Sequence, residues 1–239
     1  MNLILLYPSD LISATTAQLT DRRFFHIKSI LKAKVGDSLR VGLIDGKMGT
    51  GIVESLSQSD VKLSLSQIDT SPPKPLPVTL LLALPRPKML KRVLQCSTAM
   101  GVKEVHLINS YKVEKSFWGS PWLSTDRIHD NLLLGLEQAQ DTTLPKVYLH
   151  KLFKPFVEDR LPGICGNGKR LVAHPYSATD CPLQQVDHIT LAIGPEGGFT
   201  DYEIGKLMAQ GFKPIKMGQR ILRVETAVPA LLAKLFPFC

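Results

Sequence analysis

The sequence predicts an α/β chain in two parts: a small β-barrel over residues 1–70, and a largely parallel sheet with helices on its faces over residues 78–239. Three observations carry this reading. Asp69-Thr-Ser-Pro-Pro-Lys-Pro-Leu-Pro77 places four prolines in nine positions and reads as a stiff extended linker, with 71–77 as its span. Before it, short β-like runs alternate with turns. After it, strand and helix patterns alternate, as a parallel sheet covered by helices requires.

In the first part, 38–43, 51–56 and 61–65 read as strands, broken by turn signals such as Asp45-Gly46. A basic cluster, Arg22, Arg23, His26, Lys28, Lys32 and Lys34, is opposed only by Asp21. It includes Phe24 and Phe25, which suit stacking on bases, although at least one of the pair is expected in the barrel core. In the second part, strands are expected at 78–84, 104–109, 170–174, 189–193 and 212–217, with helices at 88–100 and 226–235. The helix at 88–100 is amphipathic: Leu90, Val93, Leu94 and Ser97 follow the spacing of a buried face. Lys88, Lys91, Arg92 and Gln95 fall opposite, with Arg86 at the entrance. No acidic residue occurs from Lys74 to Gly101, so this is either a solvated face or one that meets RNA phosphates.

The formal charge of +8 over 239 residues favours a polyanionic partner. Residues 1–70 hold 8 Lys and Arg against 7 Asp and Glu, and residues 71–239 hold 21 against 14, so the excess lies mainly in the second part. Cys96, Cys165, Cys181 and Cys239 have no C-x-x-C spacing, which suggests reduced thiols in the cytoplasm. The opening Met1-Asn-Leu-Ile-Leu-Leu-Tyr-Pro8 lacks a basic start and is too short for a signal or a membrane span.

The chemistry concentrates near the C-terminus. Leu191-Ala-Ile-Gly-Pro-Glu-Gly-Gly-Phe-Thr200 is an apolar run that stops at a glycine-rich turn. Thr200-Asp-Tyr-Glu203 then reads as a capping box that starts a helix. The turn therefore sits at the carboxyl end of a strand, where open α/β sheets bind ligands. Gly194, Gly197 and Gly198 permit close backbone approach. About twenty residues on, a short strand ends at Met217, turns at Gly218, and delivers Arg220 and Arg223 to a final helix. His174-Pro175 ends another strand on the same side.

Two patterns are set aside. Gly163-Ile-Cys-Gly-Asn-Gly-Lys-Arg170 matches a P-loop except that Arg170 replaces the Ser or Thr that holds Mg²⁺, and it leads into a strand rather than into a helix. The histidines at 26, 106, 129, 150, 174 and 188 show no i, i+4 pairing, so no metal site is expected.

Ile193-Gly-Pro-Glu-Gly-Gly198 and Met217-Gly-Gln-Arg-Ile-Leu-Arg-Val-Glu-Thr-Ala227 resemble the signature pair of the bacterial ribosomal RNA uracil-N3 methyltransferases. The resemblance implies a PUA-like β-barrel that holds RNA, followed by a SPOUT-type α/β domain with a C-terminal trefoil knot. It also implies S-adenosylmethionine (SAM) as methyl donor and a homodimer acting on small-subunit ribosomal RNA. The candidate cofactor residues are His174, Ile193, Gly194, Glu196, Gly197, Gly198, Met217, Gly218, Ile221 and Leu222. Arg220 and Arg223 are the candidate catalytic residues, suited to stabilise a uracil that has lost its N3 proton; an ion pair from either to Glu196 or Glu225 is the alternative. Candidate RNA contacts are Arg22, Arg23, His26, Lys28, Lys32, Lys88, Lys91 and Arg92. The implied activity is N3 methylation of a uridine. Alternatives are ribose 2′-O-methylation within the same superfamily, and a non-catalytic RNA-binding protein.

Several positions depart from that family's pattern. His26-Ile-Lys-Ser-Ile-Leu-Lys32 ends in Lys where Arg is usual, keeping the charge but not the bidentate fork. Cys96-Ser-Thr-Ala-Met-Gly101 stands where Lys-Ala-Thr-Glu-Leu-Gly is usual, Ser110-Tyr-Lys-Val113 where Ser-Glu-Arg-Ser is common, and Glu137-Gln-Ala-Gln-Asp141 where Glu-Gln-x-x-Arg is expected.

Overall fold

The computed structural model describes residues 2–176 and 178–236. It divides into two compact units: Met1–Lys74 with Leu133–Leu144, and Pro75–Leu132 with Pro145–Cys239.

The first unit contains β1 (Ile4–Leu6), β2 (Leu11–Ser13), β3 (Thr16–Leu19), α1 (Arg22–Phe25), β4 (Ser38–Leu43), β5 (Met48–Leu56) and β6 (Val61–Thr70). A π-helical turn, His26–Ile30, continues α1. The expected small barrel takes the form of a six-stranded sheet in the order β1-β4-β5-β6-β3-β2. β1 pairs with β4 in parallel and the other neighbours are antiparallel. The apolar run at the N-terminus becomes β1 because both of its faces are covered. Ile4 and Leu6 join the core under Phe24, Ile27, Val41, Val53 and Leu63, while Leu3 and Leu5 pack on Leu133 and Leu136. That second contact is why 133–144, although distant in sequence, belongs to this unit.

The second unit contains β7 (Val78–Ala83), α2 (Pro87–Ala99), β8 (Glu104–Ile108), the start of α3 (Thr125–Ala139), β9 (Lys146–His150), α4 (Phe153–Pro155), α5 (Leu161–Cys165), β10 (Lys169–Ala173), β11 (Thr179–Asp180), β12 (Ile189–Ile193), α6 (Asp201–Ala209), β13 (Lys213–Lys216) and α7 (Val224–Leu235). All seven strands are parallel, in the order β11-β13-β10-β12-β7-β8-β9. β7 and β12 are buried along their whole length, as the centre of a sheet with both faces covered requires. The α2 face expected to be buried is buried: Leu90, Val93, Leu94 and Ser97 are covered, and Lys88, Lys91 and Arg92 are exposed.

Chain order reverses between β7 and β12. From β7 the chain moves outward through β8 to β9, then returns to fill the other side. Ligand crevices of open parallel sheets lie outside the carboxyl ends of the strands at such a reversal. Register aligns those ends here, since Ala173 pairs with Ile193 and Ile193 with Leu82.

Candidate functional site

At that edge a cavity of about 490 Å³ opens between the loops that follow β10, β12 and β13. All ten expected cofactor residues line it: His174, Ile193, Gly194, Glu196, Gly197, Gly198, Met217, Gly218, Ile221 and Leu222. Arg220 lines it as well. Sequence reading missed Lys112, Tyr176, Asp201 and Leu231, which also face it. Lys112 and Tyr176 come from neighbouring loops and Leu231 from α7, so no motif marks them, whereas Asp201 lies inside the capping box, which marks only a helix start.

The glycine turn is built from both sides. The Gly198 amide donates to the Pro195 carbonyl at 2.7 Å and closes the turn, with Gly198 in the left-handed region at φ +71°. A Cβ on Gly198 would meet no protein atom within 4 Å, whereas one on Gly197 would lie 2.9 Å from Cδ of Lys112. The capping box expected at Thr200 forms, with the Thr200 amide donating to Glu203 Oε2 at 2.8 Å and the Glu203 amide to Thr200 Oγ1 at 3.3 Å.

Glu203 is buried and does more than cap. Its carboxylate accepts from Ser110 Oγ (3.2 Å) and from the Tyr111 amide (2.7 Å). The next residue, Lys112, donates from Nζ to the Gly197 carbonyl at 2.8 Å. The loop after β8 is thus laced to the turn after β12. At the strand reversal, the Arg86 amide donates to Glu196 Oε1 at 3.1 Å.

His174 follows β10, and its backbone amide donates to the Ile215 carbonyl at 2.9 Å. Burial chiefly holds its pKa below the ordinary histidine value, with the Lys112 charge adding to the effect and Asp201 opposing it. The ring is therefore neutral at pH 7, offering one donor and one acceptor.

The segment 217–223 contains no helix, and Arg223 sits at the N-cap of α7 in extended conformation. Arg220 faces the cavity and Arg223 does not line it. Both are exposed, and neither side chain has a hydrogen-bond or ion-pair partner among the described residues. The alternative of an ion pair to Glu196 or Glu225 is thus not realised there.

The expected RNA contacts divide. Lys88, Lys91 and Arg92 lie on the exposed face of α2, with Lys91 Nζ 5.9 Å from the Trp122 ring centroid. Lys32 is exposed, and Lys28 donates to the Ser57 carbonyl at 2.9 Å. Two arginines need correction. Arg23 is only 5 % exposed and is an internal strut, with its guanidinium bound to Asp10, Asp21 and the Leu5 carbonyl. Arg22 forms a bidentate pair with buried Glu137 at 2.7 and 3.0 Å, leaving its side chain half-exposed. His26 is half-buried, with Nε2 enclosed and unpartnered. Burial lowers its pKa, so it is not a standing cation.

The segment 163–170 is no phosphate loop. It spans the end of α5, a turn and the start of β10, and the Arg170 guanidinium donates to the backbone carbonyls of Gln210 and Gly166. A larger cavity of about 630 Å³ lies beside it, but two of its three cations are already engaged, Arg170 by backbone carbonyls and Lys169 by Gln185. The strand-end cavity is the better candidate because two independent turns and the strand reversal meet there. Among the described residues no group of three His, Cys, Asp or Glu side chains is placed to hold a metal. Cys96, Cys165 and Cys181 are free thiols, and Cys239 lies outside the described residues. No described helix is long and apolar enough to cross a membrane.

A parallel sheet with glycine turns around a cavity at its strand ends, joined in one chain to a small β-sheet unit, defines an α/β protein with a ligand crevice at the carboxyl ends of its strands. The family models agree: residues 72–235 match the RNA methyltransferase domain, and residues 19–66 match the RNA methyltransferase PUA domain. The chain belongs to this RNA methyltransferase family. It is 28 % identical to the ribosomal RNA small subunit methyltransferase E of Treponema pallidum, over 98 % of this chain and 90 % of that protein. To the Synechocystis protein of the same name it is 30 % identical, over 95 % of this chain and 75 % of the other. It shares its fold with the ribosomal RNA small subunit methyltransferase E of Neisseria gonorrhoeae, a structure bound to S-adenosyl methionine: TM-score 0.76, 20 % identity, 97 % of this chain and 95 % of that one.

Proposed function

We propose that this protein is a cytoplasmic, homodimeric methyltransferase that moves a methyl group from SAM to N3 of a uridine in small-subunit ribosomal RNA. In this reading the second unit carries a SPOUT-type C-terminal trefoil knot. The observation that carries the proposal is the convergence of both glycine turns and Arg220 on one cavity at the strand reversal.

The residues present suit the donor. Ile193, Ile221, Leu222 and Leu231 offer apolar surface to a heterocycle. Open space at Gly198 lets backbone approach a ligand closely. Cationic Lys112 and Arg220, with carboxylates of Glu196 and Asp201, match the charges of an amino-acid end. When bound, SAM supplies an electrophilic methyl whose sulfonium sulfur leaves as a neutral thioether.

The chain's own task is then positioning and charge. A new N3–CH₃ bond forms as the S–CH₃ bond breaks, and the N3 proton passes to solvent. In this reading Arg223, at the N-cap of α7 and outside the cavity lining, stabilises the uracil anion with help from the helix dipole, while Arg220 faces the cavity. Neutral His174 can accept or donate a hydrogen bond but adds no charge. RNA is held by Lys28 and Lys32 in the first unit and by Lys88, Lys91 and Arg92 on α2, with Arg22 offering only its half-exposed side chain.

Incubation of small-subunit RNA with the enzyme and isotopically labelled SAM, followed by digestion and mass spectrometry, tests this. Label on the uracil base at N3 is expected. Label on ribose would replace this reading with 2′-O chemistry. SAM binding without methylation of any ribosomal RNA would leave a binding protein.

A further inference from the structure

The first unit exposes an aromatic surface that the methyl-transfer site does not use. Phe25 is 60 % exposed and Ile30 is 68 % exposed, although both lie in an ordered helical segment. The Leu31 amide donates to the His26 carbonyl at 2.9 Å, the five-residue bond of a π turn. In that geometry Phe25 and Ile30 stand one turn apart on the same side. Phe25 is braced from behind: its ring centroid lies 5.2 Å from that of buried Phe24, tilted by 55°. Lys28 Nζ lies over the Phe24 ring, 5.2 Å from its centroid, while donating to the Ser57 carbonyl.

The electrostatic setting is one-sided. From Arg22 to Gly36 the chain contains no acidic residue. Neighbouring carboxylates are already engaged: Asp21 by Arg23, Glu137 by Arg22, and Asp60 by Ser57 and Gln18. Lys32 and Lys34 are exposed beyond the π turn, and only Asp37 stands close in sequence.

We propose that Phe25 is a stacking platform for one unpaired RNA base, with Lys28, Lys32 and Lys34 taking the flanking phosphates. This rests on the reading of the protein as an RNA methyltransferase. It adds that the first unit selects single-stranded segments of the substrate over duplex. The reasoning is geometric. In an A-form helix each base already has neighbours on both faces, so an exposed aromatic ring gains a partner only where a base is splayed out. A bare apolar surface ringed by lysines fits such a strand better than it fits an apolar protein partner, whose contact would bury these ammonium groups without counter-charge.

The test compares Phe25→Ala, Phe25→Tyr and Phe25→Leu with wild type by fluorescence anisotropy. One probe is an RNA hairpin with a long unpaired loop, the other a blunt duplex of similar length. Phe25→Ala is expected to weaken hairpin binding by roughly 5- to 150-fold, the cost of removing one base stack. Duplex binding and the salt dependence should stay unchanged, because every lysine that meets a phosphate is still present. Phe25→Tyr should restore affinity and Phe25→Leu should not, since only the former keeps a π face. Equal binding by Phe25→Leu and wild type, an equal loss on duplex, or no loss at all would overturn the platform. So would a change in oligomeric state on sedimentation of Phe25→Ala, which would make the surface a protein interface. Because Phe25 is exposed, the variants should melt like wild type. SAM-dependent methylation by wild type is measured in parallel: if it proceeds while Phe25→Ala binds RNA normally, the platform alone fails. If wild type binds no RNA, the methyltransferase reading fails first.

Discussion

Gly198→Val separates backbone strain from ligand space at the glycine turn. The native φ of +71° lies in the left-handed region, which costs a non-glycine residue about 1–2 kcal/mol and a β-branched one somewhat more, ~2–3 kcal/mol. No protein atom stands within 4 Å of the new Cβ, so the protein itself adds no clash and the stability loss is all torsional. In a chain of this size that corresponds to a melting temperature lower by ~4–10 °C. Strain of this kind is present with and without ligand, so it does not by itself change affinity. A branched side chain projecting into the cavity does, and loss of SAM affinity by about 10² or more, ~3 kcal/mol, is expected. Gly163→Ala adds a Cβ that also meets nothing within 4 Å, but far from the cavity, and should leave affinity untouched. Differential scanning calorimetry reads the first effect and isothermal titration the second. A folded Gly198→Val protein that binds SAM like wild type would refute the assignment of this turn to the ligand.

Lys112→Met removes the hydrogen bond to the Gly197 carbonyl but keeps the aliphatic stem against the turn, so SAM affinity should fall by about 3- to 10-fold, with partial rescue by Lys112→Arg; equal titration curves would show the lysine to be a bystander. Arg223→Ala should lower single-turnover methylation by about 10² with little change in SAM affinity, the pattern expected when a charge partner of the transition state is removed; a wild-type rate or complete loss of SAM binding would rule that role out. Replacing Lys88, Lys91 and Arg92 together by Gln should flatten the salt dependence of RNA binding by roughly 0.7 to 0.9 in log–log slope for each phosphate those side chains neutralise; an unchanged slope would mark this α2 face as merely solvated. His150, held near pKa 4 by burial and the adjoining His106 and Arg160, and His106, lowered by burial, stay neutral in the folded protein while the unfolded chain takes up protons near pH 6.5. Unfolding therefore binds protons, and the melting temperature should fall from pH 6.5 towards pH 4; His150→Phe should flatten that fall, and an unaltered pH curve would assign the acid lability elsewhere.

The strands and helices that form the site were legible because each carries its own local signal. The apolar run 189–193, the capping box at Thr200 and the helical spacing from Leu90 to Ser97 all appear where expected. β9 and α3 were not anticipated. β9 is an edge strand with Tyr148 and Leu149 exposed, so its pattern does not alternate cleanly, and the boundary between the two units falls within α3, after Leu132. Within the cavity, residues on the two glycine turns were legible because glycine spacing marks a turn. Lys112 and Leu231 were not, since what brings them in is the alignment of strand ends and the packing of α7. Arg23 illustrates the opposite failure. In sequence it is one cation of a basic run, and only the fold reveals Asp10 and Asp21 closing on its guanidinium.

The positions that depart from the resembled pattern gain a physical sense from their contacts. Ser110 and the Tyr111 amide satisfy the buried carboxylate of Glu203, and Lys112 reaches the Gly197 carbonyl. A lysine is sufficient for that single contact, which does not require a bidentate fork. Glu137 is 1 % exposed and is neutralised by the two donors of Arg22, while the Asp141 carboxylate accepts from the Thr143 amide at 2.9 Å. An acid at 141 therefore serves the turn that follows α3, whereas an arginine there would lack this role and would have to extend elsewhere. Ser97 and Thr98 are buried on α2, and Gly101 at φ +91° ends that helix. Among these residues Tyr111, Lys112, Ser97 and Asp141 depart from the pattern while Ser110, Thr98, Gly101 and Glu137 keep it, and nothing in the structure explains the loss of charge at Cys96 and Ala99. The cavity's own turns are untouched by these changes. Of the altered segments, 110–113 is the one with a residue in the cavity lining: Lys112 donates to the Gly197 carbonyl, so a change there reaches the donor site directly.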